Sequence, residues 1–256
     1  MTDAPIATTA RRARLAWLRA QVVGLRDETP GIRTMVLDVA GWQGHRPGQH
    51  VDVRLTAGDG YQAQRSYSIA SAPLTGRLEL TVERIADGEV SAWLADEARV
   101  GDDFELRGPI GGYFVWDSGL GGPVQLVAGG SGVVPLLSMV RQRVAAGSDA
   151  AMRLLYSARS LADVIARDEL DALAAADPAF DVVYTLTRER PEGWDGYGRR
   201  VDRALLAEVL WGADSGALTY VCGPTRFVEA VADALVDLGH RADRIRTERF
   251  GPTGMP

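Results

Sequence analysis

The hydrophobic pattern of this chain changes period once, and that change limits what it can fold into. From about Trp17 to Trp116 the sequence runs in short alternating stretches. Val51-Asp52-Val53-Arg54-Leu55 puts three apolar side chains on one face and two charged ones on the other, and Leu78 to Glu83 and Phe104 to Arg107 repeat the pattern. Period-two alternation marks antiparallel strands with one face in a core and one in water. Turn signals divide them at Thr29-Pro30-Gly31, Arg46-Pro47-Gly48, Ala57-Gly58-Asp59-Gly60 and Thr75-Gly76. Short strands at this spacing predict a small β-barrel. Beyond the glycine-rich stretch Asp117–Pro123 the alternation stops. Val124–Ala128, Arg153–Tyr156, Val182–Leu186 and Leu218–Cys222 are apolar runs without it, as buried parallel strands should be. Helical segments separate them. In Arg226–Leu238, Phe227, Val231, Leu235 and Leu238 share a face, with Thr225 placed as its cap. The expected fold is two domains: an antiparallel β-barrel over residues 16–118, then an α/β parallel-sheet domain over 123–251.

Composition removes several functions from consideration. All 28 basic residues are arginine, so Schiff-base lysine chemistry and a P-loop lysine are absent. The one cysteine, Cys222, leaves no internal disulfide, cysteine-rich zinc site or four-thiolate cluster within this sequence, and no metal site is expected. A net charge of −6 argues against general nucleic-acid binding. No apolar run approaches a membrane span. Arg11-Arg12 invites a twin-arginine reading, but Arg14, Arg19 and Gln21 interrupt the apolar core that an export signal needs, so a cytoplasmic protein is expected.

Six short segments carry chemistry. They are Arg65-Ser66-Tyr67-Ser68; Gly88-Glu89-Val90-Ser91, where a helix start exposes N–H groups to an anion; Gly108-Pro109-Ile110-Gly111-Gly112-Tyr113-Phe114; the glycine-rich turn Ala128 to Pro135; Val221-Cys222-Gly223-Pro224-Thr225; and Glu248-Arg249-Phe250-Gly251. Each alone is weak. Taken in order, they make the chain resemble the ferredoxin–NADP⁺ reductase superfamily over about Trp17 to Gly251.

That resemblance implies FAD and a nicotinamide nucleotide, NADPH or NADH. Arg65 would meet a flavin phosphate, Tyr67 would pack beside the isoalloxazine, and the Ser68 hydroxyl would sit near its N5. Gly88, Val90 and Ser91 would hold the pyrophosphate. Gly129, Gly130 and Gly132 would line the nucleotide's pyrophosphate site, with Cys222 and Gly223 beside the nicotinamide. Glu248 and Phe250 match the family's Glu-x-aromatic element, the ring covering the flavin until nicotinamide displaces it, although here the chain runs on beyond Phe250. Ser68, Cys222 and Glu248 are thus the catalytic candidates. Ser157, Arg159 and Arg188 would meet a 2′-phosphate, which favours NADPH. Hydride transfer between coplanar rings depends on orientation more than on a strong acid or base.

The implied activity is a flavin-dependent NAD(P)H oxidoreductase. With no cluster cysteines in this sequence, its electrons are expected to leave to a separate acceptor, a ferredoxin or an oxygenase component. Arg11, Arg12, Arg14 and Arg19 form one candidate docking patch, and a solvated basic N-terminus is the simpler account of them. Two other readings stay open: a flavin or ferric-chelate reductase with a small-molecule acceptor, and a non-catalytic flavin-binding partner of an oxygenase.

Overall fold

A computed structural model of the chain describes residues 15–73 and 76–251. Arg11, Arg12 and Arg14 of the candidate docking patch, and Thr75 of the fourth turn signal, lie outside the described residues.

The alternating half forms a six-stranded antiparallel sheet from β1 (Leu18–Thr29), β2 (Ile32–Val39), β3 (His50–Thr56), β4 (Gln62–Ser68), β5 (Leu78–Glu83) and β6 (Asp103–Ile110). Its order is β4-β3-β6-β1-β2-β5. An antiparallel bridge between Ile69 and Leu80, with Ala70 N–H donating to the Glu79 carbonyl at 2.8 Å, joins the two outer strands and closes the barrel. Closure removes the exposed edges that open sheets leave unpaired. Val22, Met35, Leu37, Val51, Val53 and Leu106 fill the interior. The short helix α1 (Glu89–Ala92) continues into one wider turn, Trp93–Glu97, and delivers Val90 and Leu94 to the same core.

The strict alternation fails in two strands. Thr81 of β5, expected on the wet face with Glu79 and Glu83, is 7% exposed and hydrogen-bonded to the buried Thr34. Asp52, expected on the wet face of β3, is 7% exposed. It is buried because the outer face of the barrel is itself networked: Asp52 accepts from Ser66 Oγ at 2.6 Å and from Arg107 at 2.7 Å.

The second half is a five-stranded parallel sheet of order β11-β10-β7-β8-β9. Its strands are β7 (Val124–Gly129), β8 (Met152–Ala158), β9 (Phe180–Leu186), β10 (Leu218–Pro224) and β11 (Ile245–Phe250). The helices are α2 (Val133–Ala145), α3 (Arg167–Ala176), α4 (Arg203–Val209) and α5 (Thr225–Asp237). One face of the sheet packs on α2 and α3, and the other on α4 and α5 with Leu205, Leu206, Val228, Val231 and Leu235. Coverage on both faces is why these strands read as continuous apolar runs. Two expectations change here. Thr225 does not cap α5: β10 runs on to Pro224, which takes the cap position, so Thr225 becomes the first helical residue. Val228, not Phe227, supplies the fully buried position in the first turn of α5.

The halves share side chains. Ala70 of the first and Phe114 and Trp116 of the connection lie in the α2–α3 side of the second half's core. Ser138 Oγ donates to the Ser71 carbonyl at 2.7 Å, and Arg141 reaches the Ala70 carbonyl at 2.9 Å and Glu79 at 3.2 Å. The connection is tied at both ends: Trp116 N–H donates to the Pro47 carbonyl, while Tyr220 OH and Arg246 both donate to the Val115 carbonyl.

Candidate active site

In a parallel α/β sheet, ligands bind beyond the carboxyl ends of the strands. Here those ends bring the candidates of the second half into two adjoining rows. Cys222 is in register with Ala128 on one side and Glu248 on the other. One residue further, Gly223 is in register with Arg249, and Gly129 with Ser157.

The glycines are needed for this packing. A Cβ on Gly132 would collide with the Cys222 carbonyl and stand 2.7 Å from Gly223 Cα, so the turn into α2 rests directly on the backbone of β10. On Gly129 and Gly223, a Cβ would meet the Phe227 ring at 2.9 and 2.8 Å. Gly130 differs: it has φ +55°, and its missing Cβ faces open space.

Cys222 is 2% exposed, and burial followed by the neighbouring Glu248 charge drives its thiol well above the ordinary range. It is a neutral polarizable neighbour and not a thiolate nucleophile. Burial alone raises the Glu248 carboxyl to about 7. Its Oε2 is buried with no hydrogen-bond partner, as is Thr225 Oγ1 at the start of α5.

On the barrel side, cross-strand pairs set which residues share a face. Arg65 pairs with Val53, Tyr67 with Val51 and Ser68 with His50. Tyr67 therefore leans on the barrel core, where burial raises its phenol, while Ser68 turns to the opposite face with His50. Arg65 is exposed, with its guanidinium donating to the Gln64 carbonyl at 2.6 Å. Gly88 caps α1. Val90 is buried in the barrel core, and the Ser91 hydroxyl is occupied, donating to the Gly88 carbonyl and accepting from Ile85 N–H. What this turn can offer an anion is its backbone N–H groups, as any first helical turn does.

His50 connects the halves and was not singled out from sequence. Its Nδ1 lies 3.7 Å from Glu248 Oε1 across the domain boundary. Burial lowers the imidazole, and the charge of Asp52 partly restores it. Ser68, His50, Glu248 and Cys222 thus form a continuous line, two residues from each domain. The signal was present only as register: a histidine facing the serine of β4.

Ser157, the last residue but one of β8, is half-buried, and the turns after β8 and β9 are tied together, Arg188 and Glu189 N–H both donating to the Arg159 carbonyl. Arg159 and Arg188 are exposed, and neither makes an ion pair among the described residues. Phe250 ends β11, 36% exposed. Arg19, the described member of the docking patch, is exposed and ion-paired to Asp103 at 2.5 Å. No helix among the described residues is long and apolar enough to cross a membrane.

Two family models match the two sheets: an oxidoreductase FAD-binding domain over residues 31–115 and an oxidoreductase NAD-binding domain over 126–233. The chain belongs to the ferredoxin–NADP⁺ reductase superfamily. Among its relatives in that superfamily is the glycine betaine monooxygenase reductase subunit of Chromohalobacter salexigens, 32% identical over 81% of this chain and 56% of that protein. Another is the ferredoxin–NAD(P)⁺ reductase component of the naphthalene 1,2-dioxygenase/salicylate 5-hydroxylase systems of a Ralstonia species, 28% identical over 93% of this chain and 70% of that protein. A solved cytochrome P450 reductase from Amycolatopsis superposes with a TM-score of 0.82 at 29% identity, covering 96% of this chain and 74% of that one. The chain thus spans little more than half the length of the first of these relatives. The residues present fit both dinucleotides of the superfamily: open space over Gly130, orphaned acceptors on Glu248 and Thr225, and unpaired arginines at the sheet's carboxyl edge.

Proposed function

We propose that this chain is an FAD-dependent NAD(P)H oxidoreductase that passes electrons to a separate acceptor, a ferredoxin or an oxygenase component. The observation that carries this reading is the line Ser68–His50–Glu248–Cys222, which crosses the boundary between an FAD-binding and an NAD-binding domain. We place those domains at residues 16–118 and 123–251. FAD, when bound, supplies a two-electron hydride acceptor that can hand electrons on singly.

The chain's own part is positioning. Arg65 and the turn Gly88–Ser91 hold the flavin phosphates, Tyr67 flanks the ring system, and the Ser68 hydroxyl offers a hydrogen bond at its reactive edge. Gly129, Gly130, Gly132 and Gly223 let the second dinucleotide approach the backbone. Cys222 provides a small uncharged floor for the nicotinamide, and Glu248 an acceptor without a donor of its own. Phe250 covers the nicotinamide position until the nucleotide arrives. Two rings held in reacting geometry gain on the order of 7–11 kcal/mol from orientation in favourable systems. Ser157 with the unpaired Arg159 and Arg188 recognises a 2′-phosphate, so NADPH is preferred to NADH. The acceptor class is supported by relatives that are named as reductase parts of oxygenase systems. An enzyme drawing on the NAD(P)H pool works where that pool is, in the cytoplasm.

Anaerobic rapid mixing of the FAD-loaded protein with NADPH, NADH and then a ferredoxin panel tests the whole reading. Bleaching of the flavin by nucleotide and its recovery on adding ferredoxin are expected, with kcat/KM higher for NADPH. A flavin that neither nucleotide bleaches would sink the proposal.

A further inference from the structure

One hydrogen bond joins the two turns assigned to phosphate. Ser131 stands between Gly130 and Gly132, and its Oγ donates across the domain boundary to Glu83 Oε2 at 2.6 Å. Glu83 is the last residue of β5, held opposite Ile32. Two residues further on, Ile85 N–H donates to the hydroxyl of Ser91 in the Gly88–Ser91 turn. A carboxylate is therefore fixed between the glycine turn of one domain and the α1 turn of the other.

The surroundings of Glu83 make this placement unusual. Among the described residues it has no ion-pair partner, although cations are close in sequence and space. Arg84 pairs with Asp96, Arg26 with Glu28 and Glu79, and Arg141 with Glu79 and Glu169. What Glu83 has in place of a cation is the Ser131 hydroxyl, two residues ahead of the thirteen-residue helix α2. Its charge also contributes to the raised phenol of Tyr156 in β8, so its field reaches into the second sheet. The positive end of a helix dipole favours a negative group.

We propose that Glu83 is a resident anion that sets nucleotide affinity: it holds Ser131 while the cleft has no nucleotide and opposes the pyrophosphate that enters the same turn. This deepens the proposed function and rests on it, since it takes the Gly129–Gly132 turn as the pyrophosphate site. A phosphate arriving there can claim the Ser131 hydroxyl, leaving Glu83 without its donor and beside a second negative charge. The nucleotide binds less tightly than the glycine turn alone would allow, and the oxidised product leaves sooner. Glu83 acts through Ser131 and the local field, touching neither reacting ring, so it is a positioning residue.

Titration calorimetry of the FAD-loaded protein with NADP⁺ and with NAD⁺ gives the test. Glu83→Gln keeps an acceptor for Ser131 and removes the charge. It should tighten both nucleotides by roughly three- to tenfold, the scale of one unit charge slightly beyond contact in a partly solvated cleft. The gain should shrink as salt rises from about 20 mM to about 500 mM, because the repulsion is screened. Glu83→Asp keeps the charge but retracts it from Ser131, and should not tighten binding. A tether between domains and nothing more predicts an unchanged Kd in Glu83→Gln. That result, or a tightening in Glu83→Asp equal to that in Glu83→Gln, overturns the proposal. A wild-type protein that binds neither nucleotide refutes the proposed function instead, so the two failures are distinct.

Discussion

Burial raises the Glu248 carboxyl to about 7, whereas in the unfolded chain it titrates near the ordinary glutamate value. Between those two values the folded state holds a proton that the unfolded state has lost, so stability falls as pH rises through that window and then levels off. Glu248→Gln should therefore stabilise the protein at about pH 8, by on the order of 1–3 kcal/mol, and leave it nearly unchanged at about pH 4. Urea unfolding at the two pH values checks this. Cys222, neutral and 2% exposed, should resist thiol reagents in the native protein and react at once when urea unfolds it. Both residues were visible in the sequence as members of short segments. His50 and Glu83 were not, because what defines them is a partner more than forty residues away: Glu248 for one, Ser131 for the other. Asp52 was misplaced for a related reason. Alternation predicts a wet face, but says nothing of the Ser66 and Arg107 side chains that close over it.

Among the elements, the turn from β7 into α2 shows how two glycines of one motif can differ. Gly132→Ala would press a methyl group into the Cys222 carbonyl and Gly223, backbone atoms that cannot swing aside. Overpacking of this kind costs about 1–3 kcal/mol or more, and nucleotide binding should be lost with it. Gly130→Ala meets no atoms and carries only the strain of φ +55°, about 1 kcal/mol. Denaturant melts of the two variants should rank in that order. The strands on either side were legible because buried parallel strands are apolar throughout, and the barrel strands because they alternate. β11 was not read as a strand, since Arg246, Glu248 and Arg249 make an edge strand look like a loop. The cap of α5 failed because a preceding Pro224 in extended conformation already ends the strand and starts the helix.

For the whole molecule, one of the contacts between domains is a clamp on a flank. Arg141, 16% exposed, holds Glu169 on its own side and Glu79 and the Ala70 carbonyl on the other. Its guanidinium is raised further because those carboxylates outweigh its burial. Arg141→Ala removes the guanidinium that ties Glu169 to Glu79 and the Ala70 carbonyl. Because Glu169 is 44% exposed and Glu79 keeps Arg26, it should lower the unfolding free energy by only about 1–2 kcal/mol, with the loss appearing as separation of a single urea transition into two. The two-domain plan was legible from the change of period near Asp117–Pro123. The flank contact was not, as neither period nor motif reports which side of a barrel a neighbouring helix will grip. The tied connection has a consequence for anyone recombining these halves with those of a relative. The seam in the sequence lies at Gly119–Gly122, but Phe114 and Trp116 are built into the second half's core, and Val115 answers to Tyr220 and Arg246. A chimera cut where the chain looks loosest would inherit a plug shaped for the wrong socket. Grafts should instead carry residues 113–118 along with whichever nucleotide half they came from.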